Sequence, residues 1–279
     1  MNIFAYANGF EIFGLTIYFY AFCILGGALV ALFLSNYRAH KDGYPWDMFN
    51  SIFLVALPSG IIGARLWYVI AEWERFADNF ADIFAFRDGG LAIQGGVICG
   101  ALAGILYVYF RRKDMDVLRC ADFAVPTILV AQAIGRWGNF FNQEVYGNIV
   151  DMSSWWLPSF IQSNMVVNGA YHVPLFFLEG IVNLGGYFVI TRFIPFVFGK
   201  HYCYGDQTFA YFAYYGLVRL VLEPLRDAKY QMGMIQADSL RAVGMAIAFI
   251  VVGIVLIIVN HIVRFYLKQK KAGDLKKNG

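Results

Sequence analysis

The chain has 279 residues, of which 59% are hydrophobic and 15% charged. Soluble domains carry roughly 25% charged residues, so an ordinary soluble enzyme is excluded and a lipid bilayer is the medium to reason in. The net charge of +3 implies no nucleic-acid surface, because the lysines and arginines sort into alternate connections between apolar runs.

Residues Met1 to Phe13 lack a basic n-region, and the first apolar run lacks a small-residue cleavage signal, so no cleavable signal peptide is expected. Apolar runs follow from Thr16 to Leu34, Phe49 to Ile70, Gly89 to Phe110, Val117 to Arg136, Val173 to Phe193, Tyr204 to Glu223 and Leu240 to Val263. About twenty residues of helix cross a hydrocarbon core some 30 Å thick. The pattern predicts an all-α, polytopic integral membrane bundle of about seven transmembrane helices, a single domain over 1–279. Barrel strands would alternate instead of running continuously apolar. Glycines inside the runs, such as Gly95, Gly96, Gly100 and Gly104, suit close helix packing. Cys23, Cys99, Cys120 and Cys203 fall in or beside apolar runs without metal-type spacing, so neither a disulfide framework nor a metal site is expected.

Connections after the first, third, fifth and seventh runs hold Arg38, Lys41, Arg111, Arg112, Lys113, Lys200, Arg264, Lys268, Lys270, Lys271, Lys276 and Lys277. The opposite connections hold only Arg75, Arg87, Arg226 and Lys229. The positive-inside rule then places the N-terminus outside and the C-terminus in the cytoplasm. The longest connection, 137–172, carries Trp155 and Trp156 and reads as an extracytoplasmic loop or cap with interfacial aromatics.

With that orientation, polar residues inside the runs cluster at one depth. Arg65, Gln94, Arg136, Glu179, Arg219 and Glu223 all lie within about 10 Å of the outer interface at 1.5 Å per residue. Three arginines against two glutamates leave a cationic excess in a partly dehydrated layer, which asks for an anionic companion. A phospholipid phosphate is the anion always present there. Arg219, Glu223 and Arg226 share a helix face, and Pro224 stops that helix from continuing normally. Arginine suits phosphate because its planar fork donates two hydrogen bonds and keeps its charge. Taken singly, Arg65 also fits a snorkelling residue, and Arg219 with Glu223 also fits a structural i to i+4 pair. No His-Glu-x-x-His run and no Gly-x-Ser-x-Gly elbow is present, which argues against a zinc hydrolase and a serine acyl transferase.

The densest polar segment is Gly135-Arg136-Trp137-Gly138-Asn139-Phe140-Phe141-Asn142-Gln143-Glu144-Val145-Tyr146-Gly147. Through Gly135, Arg136, Gly138, Asn139, Phe140, Asn142, Glu144 and Gly147 it resembles the signature of the prolipoprotein diacylglyceryl transferases of bacterial plasma membranes. Ile17 to Ala21, Ala64-Arg65, Asp88-Gly89-Gly90, Pro174 to Glu179 and the Arg219, Glu223, Arg226 series resemble further family segments in the same order. The resemblance implies transfer of the diacylglyceryl group of phosphatidylglycerol to the lipobox cysteine of a prolipoprotein, with no metal or soluble cofactor. It implies that Arg136 and Arg219 hold the phosphate, that Asn139 and Asn142 orient the headgroup, that Glu223 holds Arg219, and that Tyr20 lines the pocket. Arg65 and Arg226 join the substrate-binding set, and Glu144 is a candidate proton acceptor.

One position departs. Gln94 stands in Gly89-Gly90-Leu91-Ala92-Ile93-Gln94-Gly95-Gly96, where many relatives have histidine. Glutamine takes no proton near neutral pH, so Gln94 is expected to hydrogen-bond substrate while the thiol ionises beside the arginines. The competing readings are a non-catalytic phospholipid or anion transporter, which would place its polar groups nearer the midplane, and a lipoprotein-binding relative without transfer activity.

Overall fold

The computed structural model describes residues 9–12, 15–77, 80–84, 90–151, 156–227 and 236–277. Arg87, Asp88, Gly89, Trp155 and Lys229 lie outside the described residues. The chain opens with an antiparallel hairpin of β1 (Gly9–Ile12) and β2 (Leu15–Tyr18), in which Gly9 faces Tyr18 and Ile12 faces Leu15. The sequence expectation began a helix at Thr16. The β-branched Ile12, Thr16 and Ile17 favour extended backbone instead, and the first helix, α1 (Phe19–Lys41), starts later.

The helices α2 (Met48–Ala71), α3 (Trp73–Phe76), α4 (Ile93–Arg111), α5 (Val117–Ala124) and α6 (Thr127–Asn142) follow. After α6 come α7 (Ser159–Asn164) and a short hairpin of β3 (Val166–Val167) and β4 (Ala170–Tyr171). Then come α8 (Leu175–Phe188), α9 (Ile194–Phe198), α10 (Asp206–Leu222) and α11 (Gln236–Lys277). Among the described residues six stretches are long and apolar enough to cross a membrane. The protein is therefore an all-α, multi-pass membrane bundle. The remaining expected span is α10, whose 17 residues sit at the short end of what a bilayer needs.

Two compact units emerge, Leu32–Phe123 and a second built from Met1–Ala31 with Ala124–Gly279. In the first, α2 and α4 lie backbone to backbone, with Gly60 and Gly63 of α2 facing Gly95, Gly96 and Gly100 of α4. This is the small-residue interface the glycine spacing predicts. Asn36 joins α1 to α2 by accepting from the Phe49 amide at 2.8 Å and donating to Asn50 at 2.9 Å.

In the second unit, α6 is the organising helix. Its Gly138 admits the Tyr20 ring of α1, since a Cβ there would stand 2.6 Å from that ring. Against α8, Trp137 meets Phe140 and Phe176 edge to face, with centroids 5.7 and 5.1 Å apart, and Phe140 lies tilted on Phe176 at 4.6 Å. Ile161 of α7 and Met165 complete this cluster, so the connection after α6 is seated on a core. The Tyr214 hydroxyl of α10 donates to Val182 O of α8 at 2.6 Å, which sets α10 beside α8.

Candidate active site

The site grows from α6. The sequence expectation ended its fourth span at Arg136, yet helix continues to Asn142. Arg136 and Asn139 thus share helical spacing, which turns both toward one face. Termination is local and firm. Gln143 takes a left-handed conformation with φ 49°, and Val145 has φ 54°. Positive φ is costly for a β-branched residue, so this turn is held by its contacts. Gln143 Nε2 donates to Asn164 O at 3.0 Å, Asn164 Nδ2 donates to Phe140 O at 2.7 Å, and the Glu144 amide donates to Asn139 O at 3.0 Å.

Beyond the turn, the chain threads between two other segments. The Gly147 amide donates to Val173 O at 2.9 Å, the Asn148 amide to Leu225 O at 2.9 Å and the Asp227 amide to Tyr146 O at 3.2 Å. A Cβ at Gly147 would sit 2.6 Å from Leu225 O, which explains that glycine physically. Buried His172 fastens the same place, with Nδ1 2.8 Å from Gly147 O and its ring 4.4 Å from that of Tyr146. Because a carbonyl only accepts, that nitrogen carries the proton. No spacing in the sequence points to His172. Only the fold brings it to the signature.

Held this way, α6, α8, α10 and the turn after α10 deliver five ionisable groups to one chain of contacts. Arg136 Nε contacts Glu179 Oε2 directly. Glu179 Oε1 is 2.9 Å from Arg226 Nη2, Arg226 Nε is 3.7 Å from Glu223 Oε2, and that oxygen is 2.8 Å from Arg219 Nη2. The order is Arg136, Glu179, Arg226, Glu223, Arg219, and the sum of formal charges is +1. The helix α10 ends at Leu222, and a 3-10 turn, Glu223–Leu225, carries Pro224. The break at Pro224 is the one the proline predicts; beyond it Arg226 meets Glu179.

The members differ in how much of their hydrogen-bonding capacity is taken. Arg226 is central and its side chain is 8% exposed. At the two ends, Arg136 and Arg219 are 28% and 17% exposed. Among the described residues each touches one carboxylate, which leaves further guanidinium N–H groups of each without a protein acceptor. Glu223 Oε1 and Asn142 Oδ1 are buried without a hydrogen-bond partner. Asn142 Nδ2 is 3.3 Å from Glu144 Oε1, and Glu144 pairs with no arginine among the described residues. Tyr20 lies over Gly138 and is partly exposed.

Arg65 and Gln94 belong to the 32–123 unit. Arg65 there is buried and braces a loop, donating from Nε to Ile83 O at 2.9 Å, from Nη2 to Asp82 O at 2.6 Å and from Nη1 to Gly90 O at 2.9 Å. Gln94 stands in the first turn of α4 with its side chain exposed. Glu179 is the residue whose importance the sequence understated. Its depth was legible, whereas its place between two arginines was not.

A site of net positive charge with free guanidinium donors has the chemistry to accept a phosphate. The family model described as prolipoprotein diacylglyceryl transferase matches residues 8–259. A protein of Streptococcus equi subsp. equi (strain 4047), named phosphatidylglycerol--prolipoprotein diacylglyceryl transferase, is 38% identical over 254 residues, covering 90% of this chain and 94% of that relative. One of the same name from Streptococcus equi subsp. zooepidemicus (strain MGCS10565) is 38% identical over 266 residues, 95% of each chain. Another from Streptococcus pyogenes serotype M5 (strain Manfredo) is 39% identical over 246 residues, 88% of each.

Proposed function

The chain belongs to the prolipoprotein diacylglyceryl transferase family, and from that premise we propose that it moves the diacylglyceryl group of phosphatidylglycerol onto the lipobox cysteine of bacterial prolipoproteins. The reaction is placed at the extracytoplasmic side of the plasma membrane, the side to which the charge asymmetry of the connections assigns Arg136 and Arg219. The observation that carries the reading is the pair of arginines with unoccupied donors at the two ends of a buried, net-positive chain.

The thiolate of the prolipoprotein cysteine attacks the glyceryl carbon that bears the phosphate. A carbon–sulfur bond forms, the carbon–oxygen bond to phosphate breaks, and glycerol phosphate leaves with the electron pair. Charge builds on the departing phosphate, where Arg136 and Arg219 donate to it. Donors fixed in advance at a site shielded from water stabilise such charge more than solvent does. Glu179 and Glu223 hold these arginines in place, Asn139 and Asn142 face the headgroup, and Tyr20 lines the same wall. Cationic surroundings lower the thiol's pKa, and Glu144 takes its proton.

The reading is tested with purified full-length protein, phosphatidylglycerol labelled in its acyl chains, and a lipobox peptide. The expected product is the labelled thioether, with glycerol phosphate released in equal amount. Retention of lipid with no thioether would instead leave a lipid-binding or transport protein.

A further inference from the structure

At the end of α10 remote from the arginine chain, side chains of three different chemistries converge. A tight turn begins it. The Cys203 amide donates to Asp206 Oδ2 at 2.8 Å, the Asp206 amide donates back to Cys203 O at 3.1 Å, and Gly205 supplies the positive φ of 107° that the turn needs. From α11, His261 brings Nε2 to 3.1 and 3.0 Å from the two carboxylate oxygens of Asp206. Cys203 Sγ, a carboxylate oxygen of Asp206 and a ring nitrogen of His261 all lie within 4.8 Å of one another.

Thiolate sulfur, imidazole nitrogen and carboxylate oxygen are the donor types of zinc sites, and three protein ligands leave a fourth position for water. Donors about 2.0 to 2.3 Å from one ion stand roughly 3.3 to 3.6 Å apart in a tetrahedron. His261 and Asp206 already stand closer than that. The Cys203 thiol is tied by a 3.4 Å contact to His201 O, and rotation of this short side chain closes the remaining gap. Neighbouring groups fix the ligands, as metal sites require. Asp206 is fully buried, and Asn260 Nδ2 donates to its Oδ1 at 3.3 Å. The His261 ring packs against Phe198 with centroids 5.4 Å apart. Cys203 and His261 are partly exposed, which gives an ion a way in.

We propose that Cys203, Asp206 and His261 bind a zinc-type divalent ion that clamps the start of α10 to α11. On binding, the thiol gives its proton to water and a sulfur–metal bond forms. The imidazole carries its proton on Nδ1, which leaves the Nε2 lone pair to coordinate. The thiolate and carboxylate charges cancel those of the ion, so the filled site is neutral at the end of apolar helices. Arg264, which donates to Tyr204 O at 3.2 Å beside the same turn, opposes an ion held by charge alone. Magnesium and calcium are therefore disfavoured against ions with affinity for sulfur. Cysteine spacing is blind to such a site, which uses one cysteine and a histidine 55 residues from the carboxylate. No step of lipid transfer passes through it.

Full-length protein, freed of metal with a chelator, is titrated with cobalt(II), whose spectrum reports its ligands. The expected result is a near-ultraviolet thiolate-to-cobalt charge-transfer band that saturates at one ion per chain and is abolished by zinc but not by excess magnesium. Cys203→Ser and His261→Ala should lose the band, whereas Cys99→Ser should keep it. Asn260→Ala should keep it with about tenfold weaker affinity, because the carboxylate loses its brace. Thermal melts separate a lost ligand from a lost fold: Cys203→Ser should melt as the wild type does without metal, and should lack the rise that zinc gives the wild type. Absence of the band in the wild type overturns the proposal, as does a band that survives in Cys203→Ser. So does displacement by magnesium as readily as by zinc, which would mean binding to carboxylates without sulfur.

Discussion

Two buried polar clusters grip α10, one at each end. Near its C-terminus stands the chain from Arg136 to Arg219, with net charge, unoccupied guanidinium donors and partnerless oxygens at Glu223 and Asn142. At its N-terminus, fully buried Asp206 accepts from the Cys203 amide at 2.8 Å and from Asn260 Nδ2 at 3.3 Å, and contacts His261 Nε2 at 3.0 Å. Arg264 Nε donates to Asn260 Oδ1 at 3.2 Å, and Arg264 Nη2 donates to Tyr204 O at 3.2 Å. Both clusters consist of charged groups in apolar surroundings, and both link α10 to another helix. They differ in closure. The Asp206 cluster uses its own polar atoms and ties α10 to α11, whereas the arginine chain keeps guanidinium donors at both ends and a buried Glu223 oxygen without a hydrogen-bond partner among the described residues. Incomplete pairing, more than the mere presence of charge, separates a binding site from a structural clasp.

The comparison breaks most visibly at the ends of the arginine chain. Arg136→Ala and Arg219→Ala are each expected to lower the transfer rate by about 10²- to 10³-fold, roughly 3 to 4 kcal/mol of transition-state stabilisation. Thermal stability should change little in Arg136→Ala, because Glu179 keeps Arg226 at 2.9 Å, whereas Arg219→Ala should also lower the melt by about 3 kcal/mol, since buried Glu223 then keeps only a 3.7 Å contact to Arg226. Transfer kinetics beside a thermal melt measure both; a variant that melts early yet retains its rate per folded molecule would move that arginine into the structural class.

The clasp should respond in the opposite sense. Asp206→Ala strands the Cys203 amide, Asn260 and His261 without their acceptor, and breaking a buried charged cluster costs about 3 kcal/mol. The melt should fall by that amount, while the surviving folded protein keeps its KM for lipid. A raised KM with an unchanged melt would show that the Asp206 cluster serves the site after all.

Gly138→Ala tests the wall that α1 forms against α6 beside the arginine chain, at an expected cost of about 1 to 3 kcal/mol from overpacking. Its Cβ would stand 2.6 Å from the Tyr20 ring, so α1 must shift. A second change, Tyr20→Ala, should restore stability without restoring rate, since the ring that lines the pocket is then gone. Recovery of both would leave Tyr20 a packing residue.

Much of the active end was legible in the amino-acid sequence because its signals are local. The spacing of Arg219, Glu223 and Arg226 follows from helix geometry, and Pro224 marks the break before Arg226. Depth in the membrane grouped Arg136 with Glu179 through hydropathy alone. Pairing between distant helices was not legible, since no local pattern tells which arginine Glu179 will meet, and the answer is two of them. The positive φ of Gln143 and Val145 escaped for the same reason: neither residue type asks for it, and tertiary hydrogen bonds impose it. Arg65 illustrates the limit from the other side. The sequence expects Arg65 at the depth of Arg136, whereas its three backbone-carbonyl partners are contacts that sequence has no means to count. At the N-terminus, a hydropathy window extended the first helix over residues that pair as β2.

The smallest expected effect sharpens the comparison at the clasp. Burial pushes the Cys203 thiol pKa up from its ordinary value, and the Asp206 carboxylate adds to that, partly offset by Arg264 and Lys268. A raised pKa means less thiolate at any given pH, and the thiolate is the species that alkylates. Maleimide labelling of Cys203 should therefore require a higher pH than labelling of an exposed cysteine in a lipobox peptide, with a rate several-fold lower near neutrality. Asp206→Asn removes the carboxylate's share, so the midpoint of the rate profile should move down in pH while burial keeps it above that of the peptide. Loosening of the clasp would instead carry the midpoint all the way to that of the peptide, because it removes the burial as well. The extent of the shift therefore separates electrostatics from opening: a wild-type midpoint equal to that of the peptide would mean that Asp206 and burial do not govern this thiol and that the clasp is less closed than its hydrogen bonds imply.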